Sequence, residues 1–318
     1  MAKTKKAKNA KDDPRKGDAA KARRPGKKGT KGAASEAPGD LAGRIADALR
    51  VGPGFALADL PADATPGFDG DKAAGEVELA RTAEEVSAWQ ERLFAESKGG
   101  GNRSLLLVIQ GMDTSGKGGI MRHVIGLMDP QGVQITAFKA PTAQERAHPF
   151  LWRIRNALPT PGMIGVFDRS HYEDVLIVRV RNLVPPSVWG RRYGQINAFE
   201  KSATQRGIRV VKVMLHLSPQ EQKARLGERL ARPDKYWKFN PGDLDERALW
   251  PAYQEAYQAV LDKTATADAP WYVVPADRKW YARLAVQHIL LNELRAMNPQ
   301  WPAADFDVEE QKARLAQS

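Results

Sequence analysis

The stretch Ser104–Ile120, SLLLVIQGMDTSGKGGI, decides how this chain folds. Its opening residues, SLLLVI, are almost wholly apolar, and a run of that length suits a strand buried on both faces of a parallel sheet. Gly111–Lys117 then fits G-x-x-x-x-G-K between that strand and a helix expected from about Lys117 to Met128. Strand, loop and helix in that order form the context in which the pattern carries chemistry. Gly111 and Gly116 let the backbone turn. The loop amides and the helix start would face phosphate oxygens, and Lys117 would supply a mobile positive charge. Thr114, Ser115 and Gly118 complete the cradle. Gly118 stands where such loops usually carry the Ser or Thr hydroxyl that holds Mg2+. Asp113, inside the loop, would repel phosphate unless a cation lay between, so it is read as a ligand of Mg2+, which prefers oxygen.

Outward from the loop, apolar runs at Val133–Phe138, Met163–Phe167, Val210–Leu217 and Trp271–Val274 predict four more strands. Helical periodicity predicts helices over Asp40–Arg50, Glu76–Ser97, Thr142–Leu158, Val188–Gln205, the segment after Ser218-Pro219-Gln220-Glu221, a stretch ending near Ala265, and Arg278–Met297. Strands alternating with helices imply an α/β fold, a parallel five-stranded sheet with helices on both faces and its site at the strands' carboxyl ends.

A second polar motif falls at such an end. Ile164–Asp168 is an apolar strand finishing in a carboxylate, followed by Arg169-Ser170-His171-Tyr172-Glu173-Asp174. Asp168 could complete the Mg2+ site with Asp113, and Arg169 could bind phosphate bidentately or stabilise charge in the transition state. His171 reads as a structural hydrogen-bonding group. A third segment is strongly cationic: Arg225, Arg229, Arg232, Lys235 and Lys238 lie within fourteen residues. A mobile basic segment can close over phosphates and exclude water.

The net charge of +11 resides almost entirely in residues 1–33, where thirteen Lys/Arg face three Asp. That tail has few large apolar side chains and reads as disordered, either a solubilising extension or an arm that contacts polyanions. The chain has no cysteine, no apolar run long enough to span a membrane, and no signal-peptide pattern at its start, so a cytoplasmic protein is expected. The expected organisation is a basic tail (1–40), an extension with a helix (41–102), the phosphate-loop domain (103–302) with a lid near 225–250, and a C-terminal tail (303–318).

Several ordered motifs together resemble the polyphosphate kinase 2 family: GMDTSGKGG at 111–119, FKAPT at 138–142, FDRSHYEDVLIVRV at 167–180, RYGQINAFE at 192–200, the lid-like ERLARPDKYWKFNPGDLDERALW at 228–250, and PWYVVPADRKWY at 270–281. The resemblance spans roughly Gly54 to Pro302 and excludes the basic tail. It implies a three-layer, thymidylate-kinase-like P-loop kinase fold with a helical lid. It also implies reversible, Mg2+-dependent phosphate transfer between polyphosphate and a nucleotide by a homo-oligomer. By motif, Asp113 and Asp168 would be the metal-linked carboxylates. Lys117 and Arg169 would contact the transferred phosphate, and Arg229, Arg232, Lys235 and Lys238 the polyanion. Lys139, Glu173, Arg179 and Asn197 are the candidate nucleotide contacts. SHYED and FKAPT look like the branch acting on both nucleoside mono- and diphosphates, although Asp168 stands where that branch often carries Asn. The competing readings are a nucleotide or small-molecule kinase with ATP as donor, and a non-catalytic polyanion binder working through the tail.

Overall fold

A computed structural model of the protein describes residues 40–318; the basic tail expected over residues 1–40 lies, but for its last residue, outside the described residues. Five strands, β1 (Ser104–Gly111), β2 (Val133–Ala137), β3 (Ile164–Asp168), β4 (Ile208–His216) and β5 (Trp271–Pro275), form one parallel sheet in the order β2-β3-β1-β4-β5. The helices are α1 (Asp40–Leu49), α2 (Lys72–Lys98), α3 (Lys117–His123), α4 (Ala143–Arg146), α5 (Trp152–Asn156), α6 (Ile177–Val180), α7 (Pro186–Gln205), α8 (Pro219–Ala231), α9 (Gly242–Ala248), α10 (Trp250–Thr264), α11 (Lys279–Met297) and α12 (Val308–Ala316).

The strands are apolar throughout because both faces are covered. In β1, Leu105, Leu107 and Ile109 pack with α1, α2, α3 and α11, while Leu106 and Val108 face the layer that holds α5, α7 and α10. The result is a three-layer α/β/α arrangement. Neighbouring strands β1 and β3 send their chains to opposite faces, β1 through α3 and β3 through α7. Their carboxyl ends therefore open a crevice of the kind that binds ligands in doubly wound sheets.

Helix starts follow local chemistry. Asp71 caps α2 by accepting from the Ala74 amide at 2.9 Å, so the helix begins four residues before the expected Glu76. Ser218 caps α8 with Pro219 at its first position, as expected. Two expectations are corrected. The helix expected to run to about Met128 ends at His123, and Ile125–Leu127 is a separate 3-10 turn. The helix read over Thr142–Leu158 is two short pieces, α4 and α5. The capping box of Thr142 and Glu145 does form, but Pro149 disfavours helical backbone at His148 and breaks the run. The segment 303–318 contains α12. No helix among the described residues is long and apolar enough to cross a membrane.

A buried histidine on α11 makes stability depend on pH. His288 is 1% exposed, and its Nε2 lies 3.4 Å from Glu78 on α2. Burial lowers its pKa to about 4, against the pull of Glu78 and with help from Arg81 and Arg295. The native state then binds fewer protons than the unfolded chain between pH 6.5 and 4. This contribution is intact above pH 6.5 and is lost as pH falls through 4, up to about 3 kcal/mol. Thermal midpoints measured from pH 7 to 4.5 should fall less steeply for His288→Gln than for the parent; equal slopes would remove His288 from the account.

Candidate active site

The loop after β1 is held in a conformation that ordinary residues resist. Gly111 has φ 153°, Gly116 φ 112°, and the non-glycine Thr114 φ 65°. At Gly111 a Cβ would lie 2.6 Å from Ser115 Oγ and 2.9 Å from the Leu215 carbonyl, so only glycine fits between the loop and β4. Arg225, 6% exposed, pins the loop from α8. Its guanidinium donates to the carbonyls of Thr114 (2.9 Å), Ala276 and Asp277. Gln222 Nε2 donates to the Asp113 carbonyl at 3.1 Å. Arg225, one of the cations in the expected lid, thus braces the loop from behind.

The buried hydroxyls Thr114 Oγ1 and Ser115 Oγ have no hydrogen-bond partner. Buried polar atoms are rarely left so, and both residues line the cavity against the loop. Lys117 Nζ folds back to donate to the carbonyls of Gly111 (2.7 Å) and Met112 (3.3 Å). Burial lowers its pKa, while Asp113, Asp168 and Glu173 act to keep it charged. Gly118 is open: a Cβ there would meet nothing within 4 Å. The missing hydroxyl is therefore a choice of sequence, not of space. Gly118→Ser should change unfolding free energy by no more than about 0.5 kcal/mol, whereas Gly116→Ala should lose about 1–3 kcal/mol because of its φ. Denaturant unfolding checks this, and equal effects would refute the backbone argument.

The end of β3 lies beside the loop. Asp168 is level with Ile109 in the β1 ladder, and the Arg169 amide donates to the Ile109 carbonyl at 3.1 Å. Arg169, at φ 62°, turns its guanidinium onto Asp113, Nη2 to Oδ1 2.9 Å. Burial opposes the Arg169 charge, but Glu173 and Asp113 outweigh it and raise its pKa. Burial raises the pKa of Glu173. The Asp168 carboxylate has no hydrogen-bonded partner among the described residues and lies within electrostatic reach of Lys117. No group of three or more potential metal ligands occurs among the described residues. Mg2+ is commonly held by one or two carboxylates with the remaining positions filled by water and substrate phosphate, so Asp113 and Asp168 fit it chemically.

Two cavities flank the loop. A basic one of about 220 Å³ is lined by Thr114–Gly116 together with Arg225, Arg229, Lys235, Lys238, Lys279 and Arg283. On the other side, about 60 Å³ is bounded by Gly111–Asp113, Arg169, Glu173, Glu246, Tyr253 and Tyr257. Arg229 reaches from α8 to Asp243 on α9 at 3.2 Å. Arg232 turns away to Asp234 and Glu228 and does not line the basic cavity.

The four candidate nucleotide contacts do not converge. Glu173 lines the smaller cavity. Lys139 borders a separate cavity of about 330 Å³ beyond β2. Arg179 donates to the Tyr193 hydroxyl and lies over the Trp189 ring. Asn197 Nδ2 donates to the Lys263 carbonyl at 2.8 Å, tying α7 to α10.

Beneath the site is a polar cluster that the sequence reading missed apart from His171. Lys212, in mid-β4 and fully buried, donates to Glu200 Oε2 (2.6 Å), the Thr264 carbonyl (2.7 Å) and the Tyr172 hydroxyl (3.0 Å). The Tyr172 hydroxyl donates to Glu200 Oε1 at 2.8 Å, and His171 Nε2 lies 3.1 Å from the same oxygen. Against the cost of burial, the Lys212 ammonium holds Glu200 below the usual carboxylate range; burial lowers the pKa of Lys212 itself, and its three acceptors favour the charged form. Burial lowers the pKa of His171, which serves as a neutral donor. Lys279 and Arg283 were also missed; their signal was an i, i+4 pair of cations opening the helix after the last strand.

A sequence model of the family described as Polyphosphate kinase 2 matches residues 69–302. The AMP/ADP-polyphosphate phosphotransferase of Meiothermus ruber is 44% identical over 248 residues, covering 78% of this chain and 91% of the relative. The ADP-polyphosphate phosphotransferase of Rhodopseudomonas palustris is 42% identical over 238 residues, covering 71% and 81%. The crystal structure of polyphosphate kinase 2 from Arthrobacter aurescens TC1 superimposes with a TM-score of 0.85 at 53% identity, covering 86% of this chain and 97% of that one.

Proposed function

The chain belongs to the polyphosphate kinase 2 family, and we propose on that footing that it moves the terminal phosphate of inorganic polyphosphate, reversibly, onto a nucleoside mono- or diphosphate. The observation that carries this reading is a phosphate loop holding Asp113, with a cavity of six cations against it. A polyphosphate donor carries about one charge per phosphate, and a cavity of that charge suits it.

The donor lies in the basic cavity, with its terminal phosphate in the loop beside Lys117. Arg229, Lys235 and Lys238 contact it, while Arg225 braces the loop and Arg232 stays turned to Asp234 and Glu228. The nucleotide enters from the smaller cavity, near Arg169 and Glu173. An oxygen of its terminal phosphate attacks the donor's terminal phosphorus; the new P–O bond forms as the bond to the rest of the polymer breaks, and the polymer leaves one unit shorter. Lys117 and Arg169 neutralise charge that builds on the transferred group, and they need little rearrangement to do so. Mg2+ held by Asp113 and Asp168 would offset phosphate charge. A homo-oligomer acting in the cytoplasm completes the reading, with the basic tail as an accessory that contacts polyanions.

A donor–acceptor matrix tests it. Purified protein with polyphosphate, Mg2+ and AMP or ADP should form ADP or ATP. ATP consumption that ignores polyphosphate would move the reading to an ATP-dependent kinase. Deleting residues 1–33 should leave turnover within a few-fold; collapse of activity would place the tail in the site.

A further inference from the structure

Among the described residues lining the basic cavity, Glu228 alone is acidic. It sits on α8 directly before Arg229. Its Oε1 lies 3.3 Å from Arg232 and its Oε2 3.7 Å from Lys279, the first residue of α11. A carboxylate on the wall of a cavity for polyanions opposes every phosphate that enters. The architecture does not call for it there. The start of α8 is capped by Ser218, and the loop is held by Gln222 and Arg225. Lys279, by contrast, has no other carboxylate partner among the described residues.

We propose that Glu228 is the resident counter-ion of the cavity. It neutralises Lys279 while the cavity is empty and must yield that lysine when polyphosphate enters, so it sets an upper limit on affinity for the donor. This rests on the functional reading above, which places polyphosphate in this cavity. The consequence is physical: one cation must exchange a carboxylate for a phosphate, and the shortened polymer is released more readily because the carboxylate competes to return. At 48% exposure the side chain has room to swing aside.

The test uses the full chain, inorganic polyphosphate of defined length, and two readouts. These are KM for polyphosphate at saturating nucleotide and Mg2+, and equilibrium binding of polyphosphate alone across a range of salt. Glu228→Gln should lower KM and Kd for polyphosphate by about three- to tenfold. The slope of log affinity against log salt should steepen by just under one, because no freed carboxylate then takes a cation back up from solution. Glu310→Gln, the same charge change on α12, should do neither. Adding Lys279→Gln to Glu228→Gln should remove the gain. If Glu228 only pairs along its helix with Arg232, Glu228→Gln will lower the thermal midpoint without tightening binding, and the proposal is overturned. A gain that survives loss of Lys279 overturns it too. Wild-type protein that neither binds nor consumes polyphosphate overturns both this proposal and the functional reading. Normal consumption with unchanged Glu228→Gln affinity overturns the counter-ion alone.

Discussion

Replacing Lys117 with alanine is expected to lower turnover about 10³-fold or more while the protein keeps its fold. The ammonium is the one mobile cation inside the loop, and it now rests on the carbonyls of Gly111 and Met112. Those contacts are what a phosphate oxygen would replace. Removing one preorganised donor from a developing oxyanion typically slows an enzyme by about 10²–10³-fold, and removing a cation from a transferring phosphoryl group by about 10³–10⁵-fold. Stability should change little, because Asp113 keeps its partner Arg169 and no buried charge is left alone. Lys117→Arg should not rescue turnover, since a planar fork cannot occupy the site of a point charge within a tight loop. Asp168→Asn offers a contrast. Its deficit should shrink as Mg2+ is raised, whereas that of Lys117→Ala should not. Steady-state rates beside thermal unfolding decide the matter: activity within tenfold of wild type in a folded Lys117→Ala protein would end the assignment.

The frame of this site is local information. The apolar runs announce the five strands, and the Gly111–Lys117 spacing announces the loop, because each depends on residues close together in sequence. What escapes is set by distant packing. VVKVML at 210–215 reads as a strand, but nothing nearby says that Lys212 faces inward; its partners come from α7, the turn after β3 and α10. Asn197 falls in a distinctive segment, yet its amide is spent on the carboxyl end of α10. Arg225 and Arg229 share a helical face by spacing, and only the tertiary structure separates a brace for the loop from a cation in the cavity. Lys279 and Arg283 were within reach of a positional argument. They follow the carboxyl end of β5, where a doubly wound sheet keeps its ligands.

Glu200 and Lys212 should prove the most sensitive pair in the core. Glu200→Gln leaves the Lys212 ammonium buried with neutral acceptors only, among them the Tyr172 hydroxyl and the Thr264 carbonyl. Lys212→Met leaves the Glu200 carboxylate with two neutral donors, His171 and Tyr172. Breaking a buried pair by removing one partner usually costs about 3–5 kcal/mol, because the survivor's charge is uncompensated. A loss of that size corresponds to a drop on the order of 10 °C in thermal midpoint. The double variant Glu200→Gln with Lys212→Met should be less destabilised than the sum of the two, since no unpaired charge remains. It should not return to wild type, because the Thr264 carbonyl loses a donor. Function is tied to the same cluster. His171 and Tyr172 follow Arg169 directly, and their anchorage to Glu200 holds the chain where Arg169 adopts φ 62° and meets Asp113. At temperatures where each single variant is still fully folded, turnover should therefore already be reduced. Additive losses in the double-mutant cycle, or single variants as stable as wild type, would show that the ammonium and carboxylate do not act as a pair.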